Sequence, residues 1–389
     1  MKILMLPSIY GGVSWWRFDI PSKALKAAGY DVTCLNYDET EEAVRQAGSF
    51  YSWLRSEAEK HDILHCGYTG VMDAATTIYR IRDECKIPVV VDVDDDLDHV
   101  PTYNPGWKSF YPSSIGQRIA KTQLAHANAI TLSTKPLAEA LAYLVKDTPS
   151  AILENWIDVD SWDCPTPPER SLDESVRVMV TGGNGRFGDW AIIKDPLEAA
   201  MAKFDGRQGR PMLRLFFLGG TPDWVLPWVQ DRLDPLANRC FYIHPTRDVE
   251  PFNRAVRYVA PDIILSPVQK NDFNRSKSGL KFLEAALAGA AFLCTDFDTY
   301  SLAPQGTCLK VDNTYTQWVE SIEALVEDPA LRRSLANSAR EFVVDKCQAK
   351  DHVYSRIEFY TSVLEGKPIC RPSQVQEVAP VATSAPDKS

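Results

Sequence analysis

The stretch from Asn271 to Gly289, NDFNRSKSGLKFLEAALAG, concentrates the residue types best suited to chemistry in this sequence. A loop of Ser, Lys and Gly runs into a helical pattern. A helix start presents unpaired backbone amides at the positive end of its dipole. Lys277, Ser278 and Gly279 therefore form a cradle for phosphate, with Leu280 and Lys281 opening the helix behind them. Glu284 follows inside the same helix, within reach of a sugar hydroxyl.

Two further glycine loops offer the same chemistry. Gly11 and Gly12 follow the first apolar run, where the absence of a side chain lets backbone approach a diphosphate. Gly182 to Lys194, GGNGRFGDWAIIK, holds Gly183, Asn184 and Arg186, and a planar guanidinium in such a loop can pair with phosphate oxygens. Trp15, Trp16 and Arg17 come just after the first glycine loop, and exposed rings there can stack on a sugar or a base, although core packing suits a tryptophan equally. His65 ends a strand-like run, where it either meets an acceptor or forms structural hydrogen bonds.

The acidic run Asp92, Asp94, Asp95, Asp96 and Asp98 ends the apolar run VVVDV. Like charges this close repel, so stability alone does not account for them. Three readings stand side by side. Asp94, ahead of Asp92, can orient or deprotonate an acceptor hydroxyl, a role that only a family resemblance at this position implies. A D-x-D pair can hold Mg or Mn with a nucleotide's phosphates. The run can also be a solvated acidic loop. No H-E-x-x-H, Walker loop or G-x-S-x-G is present, so zinc-protease, P-loop and hydrolase-elbow chemistry have no support.

The elements that must position these residues alternate. Met1 to Pro7, Tyr30 to Leu35, Asp62 to Cys66, Ile87 to Val93 and Ala129 to Ser133 are strand-like, with helical spacing over Ile20 to Gly29, up to Cys85, and over Gln117 to Asn128. A break at Glu154 to Arg170, with Pro165, Pro167 and Pro168, reads as a linker. The alternation resumes with strands at Val176 to Val180, Leu213 to Leu218, Cys240 to His244, Asp262 to Ser266 and Ala291 to Thr295, a helix from Asp189, and another over Ser278 to Ala288. Repeated strand–helix units predict α/β structure: two Rossmann-like doubly wound domains facing a cleft, over residues 1–158 and 159–349. Helical spacing from Asp328 to Glu365 puts a helix at about 350–365, which can cross back onto the first domain. Residues 366–389 lack apolar periodicity and read as a disordered tail.

In these segments, and in their order to about residue 365, the chain resembles the retaining glycosyltransferases of the two-Rossmann-domain type, the GT-B fold of family 4 and its relatives. Ser278-Gly279-Leu280 falls on the family's diphosphate-binding turn and Glu284 on the glutamate that holds the ribose. Asp62 to His65 looks like the family's D-x-x-H element, and Asn155 to Asp158 like its N-x-I-D entry into the second domain. Arg186 and Lys194 take the places of its phosphate-binding arginine and lysine, the spacing being longer here. Asp94 falls where many relatives carry a histidine facing donor and acceptor, and Ser276 replaces the glutamate that normally contacts the sugar.

The resemblance implies a glycosyltransferase that moves a sugar from a nucleotide-diphosphate donor, bound mainly to the second domain, to an acceptor entering from the first. A glycan, a lipid-linked sugar or a hydroxymethylated DNA base are the acceptors in view. No metal or other cofactor is expected, Mg or Mn being the exception to test. Two other readings remain: a nucleotide-sugar binding protein without turnover, and a GT-B-type nucleotide-sugar epimerase.

Composition sets the boundaries. The chain has 389 residues, a net charge of -10 and 45% hydrophobic residues, which fits two globular domains and excludes disorder as its main state. Its apolar runs fall far short of the ~18 residues that a membrane span needs. Lys2 followed only by Ile3 to Leu6 is too short for the apolar core of a signal peptide. Nine scattered cysteines with no C-x-x-C read as reduced thiols, and a cytoplasmic location follows as an expectation. An acidic chain needs a local basic patch to hold DNA, and Arg207, Arg210 and Arg214 are the candidates.

Overall fold

The computed structural model describes residues 1–162, 175–182, 184–233, 238–243 and 249–367. Gly183, His244, the three linker prolines and the tail from 368 lie outside the described residues. The first half forms a sheet of β1 (Lys2–Leu6), β2 (Asp31–Cys34), β3 (Ile63–Gly67), β4 (Val89–Val93), β5 (Ala129–Leu132) and β6 (Ser150–Ile152), in the order β2-β1-β3-β4-β5-β6. The second half builds β7 (Val176–Gly182), β8 (Leu213–Gly219), β9 (Cys240–Ile243), β10 (Ile263–Ser266), β11 (Ala291–Thr295) and β12 (Leu309–Val311), in the order β12-β11-β10-β7-β8-β9. Every paired strand is parallel.

Parallel strands covered by helices on both faces are apolar throughout. Accordingly every residue of β3, β4, β5, β10 and β11 is buried. The strand order reverses between β1 and β3 in one sheet and between β7 and β10 in the other. Open α/β sheets bind ligands beyond the carboxyl ends of their strands at such a reversal. That rule selects the loops after β1, β7 and β10, which carry Gly11-Gly12, Arg186 and Lys277 to Gly279.

The halves share apolar contacts. Trp16, Ile20 and Ile157 pack in one cluster with Met179, Phe282 and Leu283 of the other half. Near the linker, Ile157 donates to Cys347 O at 2.8 Å and Ala349 donates to Ile157 O at 2.8 Å, so the outgoing and returning chains bridge side by side. The expected continuous helical run from Asp328 breaks at that bridge into helices Pro329–Lys346 and Val353–Glu365. The second places Phe359 and Tyr360 against Ile3, Met5 and Phe18 of the first half.

Other departures have local causes. The helix expected from Asp189 is a short turn, Phe187–Ala191, followed by Lys194–Lys203. Three-residue edge strands β6 and β12 and the helices Tyr37–Ala47, Phe50–Ala58 and Tyr315–Glu327 do not figure in the sequence reading. The edge strands are too short to show a period, and Tyr37–Ala47 buries none of its residues.

Candidate active site

The helix Leu280–Ala288 is built from good helix formers and buries Phe282 through Ala288. Gly289, at φ +67°, ends it in the left-handed conformation. At its start Gly279 has no side chain to cap the first turn; Phe282 N bonds back to Gly279 O at 3.0 Å, and the Leu280 and Lys281 amides, without a partner among the described residues, stay open to a ligand. A Cβ on Gly279 would stand 2.8 Å from the Thr299 carbonyl oxygen, which is why the turn can sit this close to its neighbour only as glycine. Lys281 Nζ lies 2.6 Å from Glu284 Oε2 and 3.5 Å from Thr181 Oγ1, so a cation and a carboxylate are held as a partly buried pair beside that start.

This turn forms one wall of a cavity of about 380 Å³ between the two sheets. Lys277, Ser278, Leu280, Lys281 and Glu284 line it, together with Arg186, Thr181 and Gly182 at the end of β7. Opposite them stand Gly12, Val13, Trp16, Arg17, Asp94 and Asp95 of the first half. Arg186 keeps Nη1 3.0 Å from Asp189 Oδ2, and that buried carboxylate raises the arginine's pKa against the opposing effect of burial. Asp189 is fixed in turn by Gln269 N at 2.7 Å and Asn274 Nδ2 at 3.0 Å.

Gly219, Gly220, Leu218, Trp162, Phe252 and Asn155 also line the cavity and were not among the sequence candidates. The glycine pair ending LRLFFL carried a usable signal, the same strand-end pattern as Gly182. With φ +109° and a Cβ position only 2.3 Å from Gly182 O, Gly219 lets β7 and β8 end in contact. Trp162 was absorbed into the linker, and Phe252 has no local signal at all.

The acidic run does not act as a unit. Asp96 accepts from Asp98 N at 2.9 Å and meets His99 Nδ1 at 2.8 Å, while Asp98 pairs with Lys121 and Tyr143. Asp95 Oδ1 takes Lys277 Nζ at 2.7 Å, an ion pair across the cleft. The carboxylates diverge, and among the described residues no group of three or more His, Cys, Asp or Glu is arranged to hold a metal ion. Asp94 alone faces the cavity with no side-chain hydrogen bond or ion pair among the described residues. Burial first, then the negative charges of Asp95 and Asp92, pushes its carboxyl up to about 7.

Several sequence candidates are corrected. Asp92 does not reach the cavity: it is buried in a two-point pair with Arg17, Nε to Oδ2 at 2.8 Å and Nη2 to Oδ1 at 2.6 Å, which holds its carboxyl far below the usual range despite burial. A carboxylate so engaged is no catalytic base. Arg17 lines the cavity, yet its remaining Nη1 donates to Leu153 O at 2.6 Å and Asn155 Oδ1 at 2.9 Å, which leaves little for an acceptor. His65 is fully buried, with Nδ1 2.7 Å from Tyr360 OH and Nε2 3.0 Å from Thr131 Oγ1, and burial lowers its pKa. It is a structural residue, not an acceptor ligand.

Lys194 lies outside the cavity lining, with its ammonium 5.8 Å over the Trp224 ring. Gly11 sits one residue back from the lining, where its carbonyl accepts from Trp15 N at 3.0 Å. Of the other loop calls, Gly183 is outside the described residues and Asn184 begins the short 3-10 turn that ends in Arg186. Trp16 does line the cavity, carried there by a π-helical turn, Trp15–Asp19. Arg207 and Arg210 sit in the exposed loop before β8, and Arg214 in its first residues, at the end of the strand opposite the cavity.

No family profile matches the chain, and no curated protein matches it. Solved structures do. Sucrose-phosphate synthase from Thermosynechococcus elongatus superposes with a TM-score of 0.66 at 14% identity, covering 94% of this chain and 100% of that one. HepE of Anabaena, in complex with UDP and glucose, gives 0.62 at 14% identity over 93% of this chain and 100% of its own. The chain has the GT-B fold. A proposed UDP-N-acetylglucosamine 2-epimerase from Listeria monocytogenes aligns with the same GT-B frame at 0.55 and 12% identity, over 94% of this chain and 98% of its own. Within the described residues no helix is long and apolar enough to cross a membrane.

Proposed function

We propose that the chain is a glycosyltransferase that draws a nucleotide-diphosphate sugar into the cleft cavity and transfers the sugar to an acceptor hydroxyl. One observation carries this reading: an uncapped helix start, Arg186, Lys277, Lys281 and Glu284 converge from one sheet on the same cavity that Asp94 enters from the other. The glycosyltransferase structures of the same fold, one holding UDP and glucose, support it.

In this reading the diphosphate rests on the amides that follow Gly279, and Glu284 takes the ribose hydroxyls. Breaking the sugar–phosphate bond leaves negative charge on the departing diphosphate. Fixed cations and amides in a water-poor cleft stabilise that charge without reorganising. Lys281 and Arg186 fill this role, with Lys277 exchanging Asp95 for a phosphate oxygen. Asp94 receives or orients the proton of the acceptor hydroxyl, and its raised pKa suits it to exchange protons near neutrality.

The acceptor, a sugar or lipid-linked sugar, enters from the first half past Trp16, which lines the cavity with one edge while its ring packs in the core at 6% exposure. A DNA acceptor loses its main support, because Arg207, Arg210 and Arg214 lie at the far end of β8. The test is release of nucleoside diphosphate from a panel of nucleotide sugars, with the anomeric form of the product read by NMR to separate retention from inversion. The Listeria neighbour favours a second reading, epimerisation, which produces the epimeric nucleotide sugar with no acceptor and no free sugar. Binding without either product identifies a carrier that lacks turnover.

A further inference from the structure

We propose that Asn155 is a positioning residue that fixes the direction in which Ser278 offers its hydroxyl proton, aiming it at the diphosphate of the donor. The proposal rests on the donor site described above. Asn155 is buried, 6% exposed, on the segment that leaves the first sheet, and Ser278 belongs to the turn before the helix of the second. A guanidinium carries N–H donors only. The amide atom that faces Arg17 Nη1 at 2.9 Å is therefore the carbonyl oxygen. Arg17 has no freedom to rotate away, since Asp92 grips two of its nitrogens and Leu153 O accepts from the third.

With the oxygen so committed, Nδ2 points to Ser278 Oγ at 2.8 Å and donates to it. A hydroxyl that accepts on this side must send its own proton to another. Among the described residues no protein atom receives that proton, and Ser278 lines the cavity. From the Asp92–Arg17 pair through Asn155 to Ser278, every link from Arg17 onward donates in one direction, toward the place of the diphosphate, and aligned hydrogen bonds polarise one another. The chain of contacts also spans the two halves of the fold, so closure of the cleft and orientation of the hydroxyl depend on the same side chain.

The prediction separates direction from mere contact. Asn155→Asp keeps the size of the side chain and gives Arg17 a better partner, but a carboxylate only accepts. Ser278 then turns its proton back toward position 155 and away from the donor. The experiment titrates the purified 389-residue chain with uridine, guanosine and adenosine diphosphates and UDP-glucose by calorimetry, for the wild type, Asn155→Asp, Asn155→Ala, Ser278→Ala and the two double variants.

Asn155→Asp weakens the best nucleotide by roughly tenfold or more, in the range of a hydrogen bond to a charged group. Its melting temperature stays near that of the wild type. In the Ser278→Ala background the same change costs distinctly less, because only the through-space charge remains. An equal loss in both backgrounds, or no loss in either, overturns the proposal. If Asn155→Asp fails to fold, Asn155→Ala decides: its smaller loss disappears on Ser278→Ala when Asn155 acts through the hydroxyl, and persists when it does not. A wild-type chain that binds none of these nucleotides overturns the donor site itself, and the proposal with it.

Discussion

Replacing Asp94 by Asn tests the proposed proton acceptor most severely. The wild-type carboxyl sits at about 7 because burial and two neighbouring carboxylates disfavour its charge. Its charged fraction therefore grows through the neutral range instead of near pH 4. If the charged form is needed, kcat/KM for nucleoside diphosphate release climbs about tenfold per pH unit below pH 6 and levels off above pH 8. Asn removes that dependence and lowers the rate by about 10²- to 10⁴-fold. Stability moves with the opposite sign. A group whose folded pKa is raised contributes stability below its unfolded value near 3.8, and that contribution is lost as pH rises through 7. Asp94→Asn therefore melts about 2 to 5 °C above the wild type at pH 8 and equal to it near pH 4. The assay is coupled detection of released diphosphate across pH 5 to 9, alongside melting curves. A variant that keeps both the rate and the pH rise refutes the role, since the ionisation would then belong to another group.

Other expectations are more local. Gly279→Ala forces its new methyl against the Thr299 carbonyl at 2.8 Å. Donor affinity by calorimetry falls about tenfold as the turn shifts, with a stability loss of about 1 to 3 kcal/mol. Arg17→Ala strands a buried carboxylate and costs about 3 to 5 kcal/mol in denaturant unfolding. The pH trend also reverses: the depressed pKa of wild-type Asp92 gives stability that is present above about pH 4 and lost toward lower pH, whereas without Arg17 acidification relieves the buried charge. Lys194→Ala leaves donor affinity within about twofold in the same titration, because its amine lies over Trp224 outside the cavity. A gel shift on duplex DNA at low salt shows no complex, given a net charge of -10 and arginines remote from the cleft.

Much of one wall of the cavity was legible in the sequence because its parts are contiguous. Lys277 to Lys281 and Glu284 form one loop–helix unit, and Arg186 follows a strand by only a few residues, so local sequence grouped them while the family resemblance supplied their roles. Strand VVVDV likewise announced a doubly buried central strand. What escaped depends on pairs far apart in the chain. Whether Asp92 or Asp94 faces the cleft is decided by Arg17, 75 residues away from Asp92, which claims one carboxylate and leaves the other to the cavity. His65 was open between an acceptor ligand and a structural residue, and Tyr360, 295 residues on, decides it by filling its ring nitrogen. Lys194 was placed by analogy of position, but the helix it opens turns its amine over an aromatic face instead. Asn155, quoted only as a linker marker, gains its role solely from meeting Arg17 and Ser278 in space.

The central claim is that the cleft between the sheets is a nucleotide-diphosphate sugar site, and thermal stabilisation tests it most directly. Wild-type protein, Glu284→Ala and Arg186→Ala would be melted against nucleotide diphosphates and their sugars at saturating concentration. The account predicts a selective shift for one nucleotide, worth about 2.7 kcal/mol at a hundredfold excess over Kd and several degrees in Tm, that is lost in both variants. Well-folded wild-type protein that shows no shift with any donor, or a shift unchanged in both variants, would contradict it.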